Sequence, residues 1–333
     1  MRSIELGSLL IYFSLVFFTG HTQTLEGDLK NKNEVETIKK IEAYLLDLEK
    51  VGFSGSVLVE INNLKVISNG YGFRDKEKHI KNSSNTVFDI GSITKQFTAA
   101  AILKLEMQGK LSTSDKISKF FENIPGDKKE ITIHDLLRHQ SGLIGNVGKD
   151  YEEITESDFL DKVFSSKLRF EIGSQFSYSN VGYSLLAMII EKTSGQTYEE
   201  FLYGQLWQPA QMELTGYTRP TFDTDLIAVG YNRDNSIWGK PTDKEWDKFA
   251  PYWHLKGNGG ILSTTEDLYK WHTSLMTELI LSKEANKNYI TLNLDRRKQK
   301  DPIMPMDGMF LKQQETLNRC GITVPIEFCT PTF

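Results

Sequence analysis

Cysteine is nearly missing from this chain of 333 residues: only Cys320 and Cys329 occur, both near the C-terminal end. A small scaffold held together by several disulfides is therefore excluded. The pair fits one loop-closing disulfide in an exported protein, and equally two free thiols. Histidine is scarce too, six in all, with no His-Glu-x-x-His run and no paired Cys-x-x-Cys. No metal site is expected. Basic charge is not in excess, since 39 Lys and Arg face 44 Asp and Glu for a net charge of −5. With no basic stripe to offer phosphates, a nucleic-acid partner is not expected. No apolar run reaches the length of about 20 residues needed to span a bilayer.

What is present points to a folded domain. Hydrophobic residues at 39% and charged residues at 25% are the proportions of a soluble globular protein long enough for one large domain or two smaller ones. The first residues read as an export signal: Arg2 is the positive end, Leu9 to Phe18 a short apolar core, and Thr19 to Thr24 a small or polar exit. A signal over residues 1–22 places the mature protein in the secreted or periplasmic fraction, with no stable membrane span after its removal.

Periodicity then gives the order of elements. Val35, Ile38, Ile41, Leu45 and Leu48 form one face of a helix over Glu34 to Val51. Val57, Val59 and Ile61 alternate with polar residues, so Ser54 to Ile61 reads as a strand, with Asn62-Asn63 as turn and Lys65 to Asn69 as hairpin partner. Ser92 to Gln108 is apolar on more than one side, as in a buried helix, and Gly109 stops it. Thr132 can cap a helix through Leu136, Leu137 and Arg138. Val181 to Glu191 is a further apolar helix, and Leu262 to Leu275 another, with the capping spacing Ser263-Thr264-Thr265-Glu266. From Asn293 onward the basic run Arg296-Arg297-Lys298-Gln299-Lys300 and Pro302, Pro305, Pro325 and Pro331 mark a different region. The expected layout is a signal at 1–22, a main domain at 34–292 and an irregular tail at 293–333.

Within this frame Ser92-Ile93-Thr94-Lys95 carries the chemical signal. A serine and a lysine three residues apart at a helix start share one face. The amine can take the hydroxyl proton if burial or a neighbouring positive charge lowers its pKa from about 10.4. That makes the serine a nucleophile. Alone the motif is weak, since Ser92 can simply cap a core helix with Lys95 solvated. Three further stretches stand with it: Ile131 to Leu143, containing Leu136-Leu137-Arg138-His139-Gln140-Ser141-Gly142-Leu143; Phe176-Ser177-Tyr178-Ser179-Asn180-Val181-Gly182-Tyr183; and Asn258-Gly259-Gly260-Ile261-Leu262-Ser263-Thr264-Thr265-Glu266.

In that order the four stretches resemble the serine β-lactamase and penicillin-binding-protein-like hydrolases, especially the class C-like branch with its DD-peptidases and esterases. The resemblance covers roughly Glu34 to Leu281. It implies an α+β fold: an antiparallel sheet flanked by helices, a helical subdomain, and the site between them. It further implies Ser92 as the acylated nucleophile, Lys95 as its proton acceptor, Tyr178 as the proton relay and Asn180 as a substrate-binding amide that also steadies the lysine. The Ser92 backbone N–H is placed to serve as one oxyanion donor. The substrate is then a small molecule or peptide with an amide or ester: a β-lactam, a D-Ala-D-Ala-type peptide or a small ester. No cofactor is implied. His139 is tempting as a general base, but its place in the Leu-x-x-His-x-Ser-Gly-Leu stretch points to a structural residue holding a loop. Gly257 to Gly260 lacks Gly-Lys-Ser/Thr and reads as a tight turn. His254 and His272 read as surface or loop residues.

The pattern also departs from the family. Its third motif, Lys-Thr-Gly or His-Thr-Gly on a strand lining the site, does not occur after Leu281, and Lys192-Thr193-Ser194-Gly195 ends the helix that follows Tyr178. An incomplete C-terminal sheet and weak activity are therefore expected, from truncation, a frameshift or a divergent replacement. The alternative function is a catalytically impaired family member that binds a peptide or protein in the cleft.

Overall fold

The computed structural model describes residues 32–289, apart from 245 and 247–250. The expected signal, the tail after Asn293 with both cysteines, and any C-terminal strand lie outside the described residues.

Helix α1 (Lys32–Lys50) and the hairpin of β1 (Gly55–Ile61) and β2 (Leu64–Tyr71) form the opening unit. The strands pair antiparallel from Gly55↔Tyr71 to Ile61↔Leu64, with a register shift at Val59/Glu60. Asn62 and Asn63 make the turn with φ of 52° and 63°. Two successive positive φ values give the tight turn whose twist suits a hairpin, and asparagine tolerates that region. Val57, Val59, Ile61 and Ile67 face α1, where Ile38, Ile41, Leu45 and Leu48 meet them. Strands β3 (Phe73–Asp75) and β4 (Ile80–Lys81) make a smaller antiparallel pair.

A second, larger core is helical. Strand β5 (Phe88–Asp89) passes through a 3-10 turn, Gly91–Ile93, into α2 (Thr94–Met107). Phe97, Ala100, Ala101, Ile102 and Leu105 of α2 are fully buried, and its alanine face lets α5 (Asn180–Ser194) pack closely. Between them in sequence come α3 (Ile133–Leu137) and α4 (Glu156–Ser165). Thr132 accepts the Asp135 N–H while Asp135 accepts from Thr132 in return, so α3 starts on a reciprocal cap. Every residue from Val181 to Ile190 is buried, and Gly195 ends α5 at φ 71°.

Helix α6 (Tyr198–Leu202) and the strands β6 (Gly230–Tyr231) and β7 (Ile237–Gly239) follow. Leu262–Ser263 is not the start of a helix: it is strand β8, paired with β5 through Phe88↔Ser263 and Asp89↔Leu262. The helix proper, α7 (Thr265–Leu275), begins after Thr264, whose side chain accepts the Asp267 N–H. Helix α7 lies on the face of β1–β2 opposite α1, with Glu266 taking hydrogen bonds from Lys65 and Ser68. The architecture is α+β, with a helix-flanked antiparallel hairpin against a helical body. No described helix is long and apolar enough to cross a membrane.

Candidate active site

Three segments converge where β5 ends. The first is the turn between β5 and α2. Asp89 accepts the Gly91 N–H at 2.7 Å, and Gly91 takes φ 50°, so Ser92 stands exposed at the head of α2. One turn on, Lys95 is 2% exposed, and its Nζ lies 3.2 Å from Ser92 Oγ.

The second segment is the glycine turn before β8. Lys95 Nζ donates to the Asn258 carbonyl at 2.6 Å, and Thr98 Oγ1 to the Gly257 carbonyl at 2.6 Å. Gly257 has φ 83°, and a Cβ there would sit 2.6 Å from Ala187 Cβ and 2.8 Å from the Tyr183 carbonyl oxygen. Only glycine permits this approach. Asn258 is 3% exposed, and its amide donates to Ser184 Oγ and the His254 carbonyl, both at 2.9 Å. The tight turn expected at Gly257 to Gly260 thus delivers a fixed carbonyl to the buried lysine.

The third segment leads into α5. Tyr178 OH donates to Ser92 Oγ at 2.9 Å, and Lys95 Nζ lies 4.8 Å from the Tyr178 ring centroid. Asn180, the first residue of α5, donates through Nδ2 to Asn146 Oδ1 at 2.8 Å. Its own Oδ1 is buried with no hydrogen-bond partner among the described residues. Ser92, Lys95 and Tyr178 are joined by these bonds, and Asn180 follows Tyr178 by two residues.

The surrounding charges are acidic. Burial pushes the Asp89 carboxyl up to about 6, the charge of Asp150 adds to the rise, and the N–H groups of Gly91 and Gly260 oppose it. Asp150 is raised as well by desolvation of its carboxyl, while Lys95 and His254 pull it back. Tyr151 rises with burial and with both aspartates. His254 lies in a turn, within its reading as a surface or loop residue, but is only 5% exposed; desolvation lowers its pKa and favours the neutral ring. The Asn258 carbonyl, Asp89 and Asp150 were missed in the sequence. A backbone acceptor has no residue signature, although the glycines around Asn258 marked the turn that carries it.

A Ser-x-x-Lys turn, a tyrosine on the serine oxygen and a helical body against an antiparallel hairpin are the arrangement of the serine-hydrolase-like class. The chain belongs to the β-lactamase family, whose model matches residues 38–315. It is 29% identical over 262 residues to a protein of Bacillus subtilis named as penicillin-binding protein PbpX, covering 79% of this chain and 65% of that one. It is 32% identical over 236 residues to protein flp of Staphylococcus aureus, covering 68% of this chain and 46% of the relative. The chain therefore spans less than two thirds of the length of either relative. The octameric penicillin-binding protein homologue of Pyrococcus abyssi has the same fold, with TM-score 0.62 and 29% identity over 76% of this chain and 59% of that one.

Proposed function

We propose that the chain is an exported serine hydrolase that forms an acyl-enzyme on Ser92 from an amide or ester. One observation carries this reading: Ser92 Oγ lies within hydrogen-bond distance of both Lys95 Nζ and Tyr178 OH. An oxygen held by two such groups is stabilised as it becomes an alkoxide, and its proton has somewhere to go. In acylation the Ser92 O–H bond breaks and its oxygen bonds the substrate carbonyl carbon. The proton passes through the Lys95–Tyr178 pair to the leaving nitrogen or oxygen as the carbonyl–leaving-group bond breaks. Water then attacks the ester carbonyl, gives up a proton to the same pair, and releases the acid as Ser92 regains its hydrogen. By the family resemblance Asn180 supplies an amide to the substrate; its Oδ1 has no hydrogen-bond partner among the described residues. β-Lactams, D-Ala-D-Ala-type peptides and small esters share the carbonyl this chemistry needs.

The test is covalent labelling with a fluorophosphonate or a labelled penicillin, read by intact mass and peptide mapping. A single adduct on Ser92 that disappears in Ser92→Ala is expected. An adduct elsewhere, or one surviving that substitution, overturns the assignment.

A further inference from the structure

We propose that His139 is the positioning residue that holds the Tyr178 phenol on Ser92; this rests on the acyl-enzyme reading above. His139 grips Tyr178 from three sides. Its backbone carbonyl accepts the N–H of Ser177 at 2.8 Å, and its ring Nδ1 accepts the N–H of Ser179 at 3.1 Å. The residues before and after Tyr178 are thus both tied to one histidine. The ring itself lies against the Tyr178 ring, centroids 4.5 Å apart at 31°. On the same ring sits Tyr183, at 5.0 Å and 34°, with its hydroxyl fixed to the Leu137 carbonyl.

The grip is rigid. His139 is 1% exposed and takes φ 56°, an unusual backbone state for a residue of its size. Its loop is held at both ends, Gln140 N–H to the Asp135 carbonyl at 2.8 Å and Arg169 N–H to the Gly142 carbonyl at 2.8 Å. Because Nδ1 accepts a backbone N–H, the neutral ring carries its proton on Nε2. The chemistry asks for both parts of this side chain. The acceptor fixes the backbone on which Tyr178 stands, and the flat ring fixes the plane of the phenol. A displacement of about 1 Å in a reacting group can cost about 10²-fold in rate, so this support bears on acylation and not on stability alone.

The test is a double-mutant cycle on the rate of Ser92 acylation by a labelled penicillin, in the full chain. His139→Asn keeps an acceptor, tolerates positive φ and removes the ring. It should lower the limiting acylation rate about 10²-fold, leave the half-saturating probe concentration nearly unchanged, and leave the thermal midpoint within a few degrees. On a Tyr178→Phe background the same change should have almost no further effect, because the group it positions is gone. His139→Gln gives a second version of the same cycle should the Asn variant fold poorly. An equal loss in both backgrounds overturns the proposal and leaves the acyl-enzyme reading intact. Undiminished acylation by Tyr178→Phe overturns both the relay and its positioning, and an unlabelled wild-type Ser92 overturns the underlying reading.

Discussion

The buried Lys95 amine has Ser92 Oγ and the Asn258 carbonyl within hydrogen-bond distance, and of these two the serine hydroxyl carries a proton it can take. An arginine would keep the positive charge but could not act as the base. Lys95→Arg should therefore lower the acylation rate by orders of magnitude with the circular dichroism spectrum unchanged; near-normal labelling would remove the base role. Asp89, three residues before Ser92, gives a different prediction. Its carboxyl, pushed up to about 6 from 3.8, is held more tightly protonated in the folded chain than in the unfolded one. Its contribution to stability is thus fully present below pH 3.8 and is lost as pH rises through 6. Asparagine keeps an oxygen for the Gly91 N–H and does not ionise. Asp89→Asn should raise the thermal midpoint at pH 7 and change it little at pH 3.5. A gain of the same size at both values would mean that charge is not the cause.

At the scale of elements, the nucleophile's position depends on how α2 is seated. Phe97, fully buried and two residues after Lys95, packs edge-on to Trp207 at 5.7 Å and against Trp271 at 4.9 Å. Phe97→Ala should cost about 3–5 kcal/mol in denaturant unfolding; a loss under about 1 kcal/mol would mean that the site collapses around the void. Long elements were legible because their period is strong. The helix expected over Glu34 to Val51 is α1, Lys32–Lys50, and the apolar block at Ser92 to Gln108 is α2 with its entry turn. Short ones were not. Leu262–Ser263 and Phe88–Asp89 are strands of two residues each, too brief for alternation to show, and their pairing joins positions far apart in sequence. Burial of a lone side chain is equally silent in sequence: nothing marks His254, a turn residue, as buried. The joining of Ser92, Lys95 and Tyr178 was legible because their ordered motifs resemble those of the family, a resemblance that implied the three work together. The carbonyl of Asn258 was not, because backbone oxygens are the same at every residue.

At the scale of the molecule, two cores meet along α7. The hairpin and α1 have their own apolar cluster, and the helical body has the larger one. A charged tie spans the junction: Glu266 of α7 accepts from Lys65 and Ser68 of β2, and Lys65 also lies over the Tyr269 ring at 4.9 Å. Burial alone would push the Glu266 carboxyl up, but the hydrogen bonds from Lys65 and Ser68 and the charges of Lys65 and Lys270 outweigh it and hold the pKa below the ordinary glutamate value. Such a group stabilises the fold above pH 4.5 and loses that contribution as pH falls through its depressed folded value. Because the pair is partly open to solvent, the tie is worth only about 1 kcal/mol at neutral pH. Glu266→Gln should remove that amount at pH 7, remove little at pH 3, and raise amide hydrogen exchange in Leu64–Tyr71 more than in Thr94–Met107. Ser92 labelling should keep its rate, since the helical body that carries the site is packed independently of the hairpin. Slower labelling together with faster exchange in α2 would show instead that the hairpin layer and the catalytic body open as one unit.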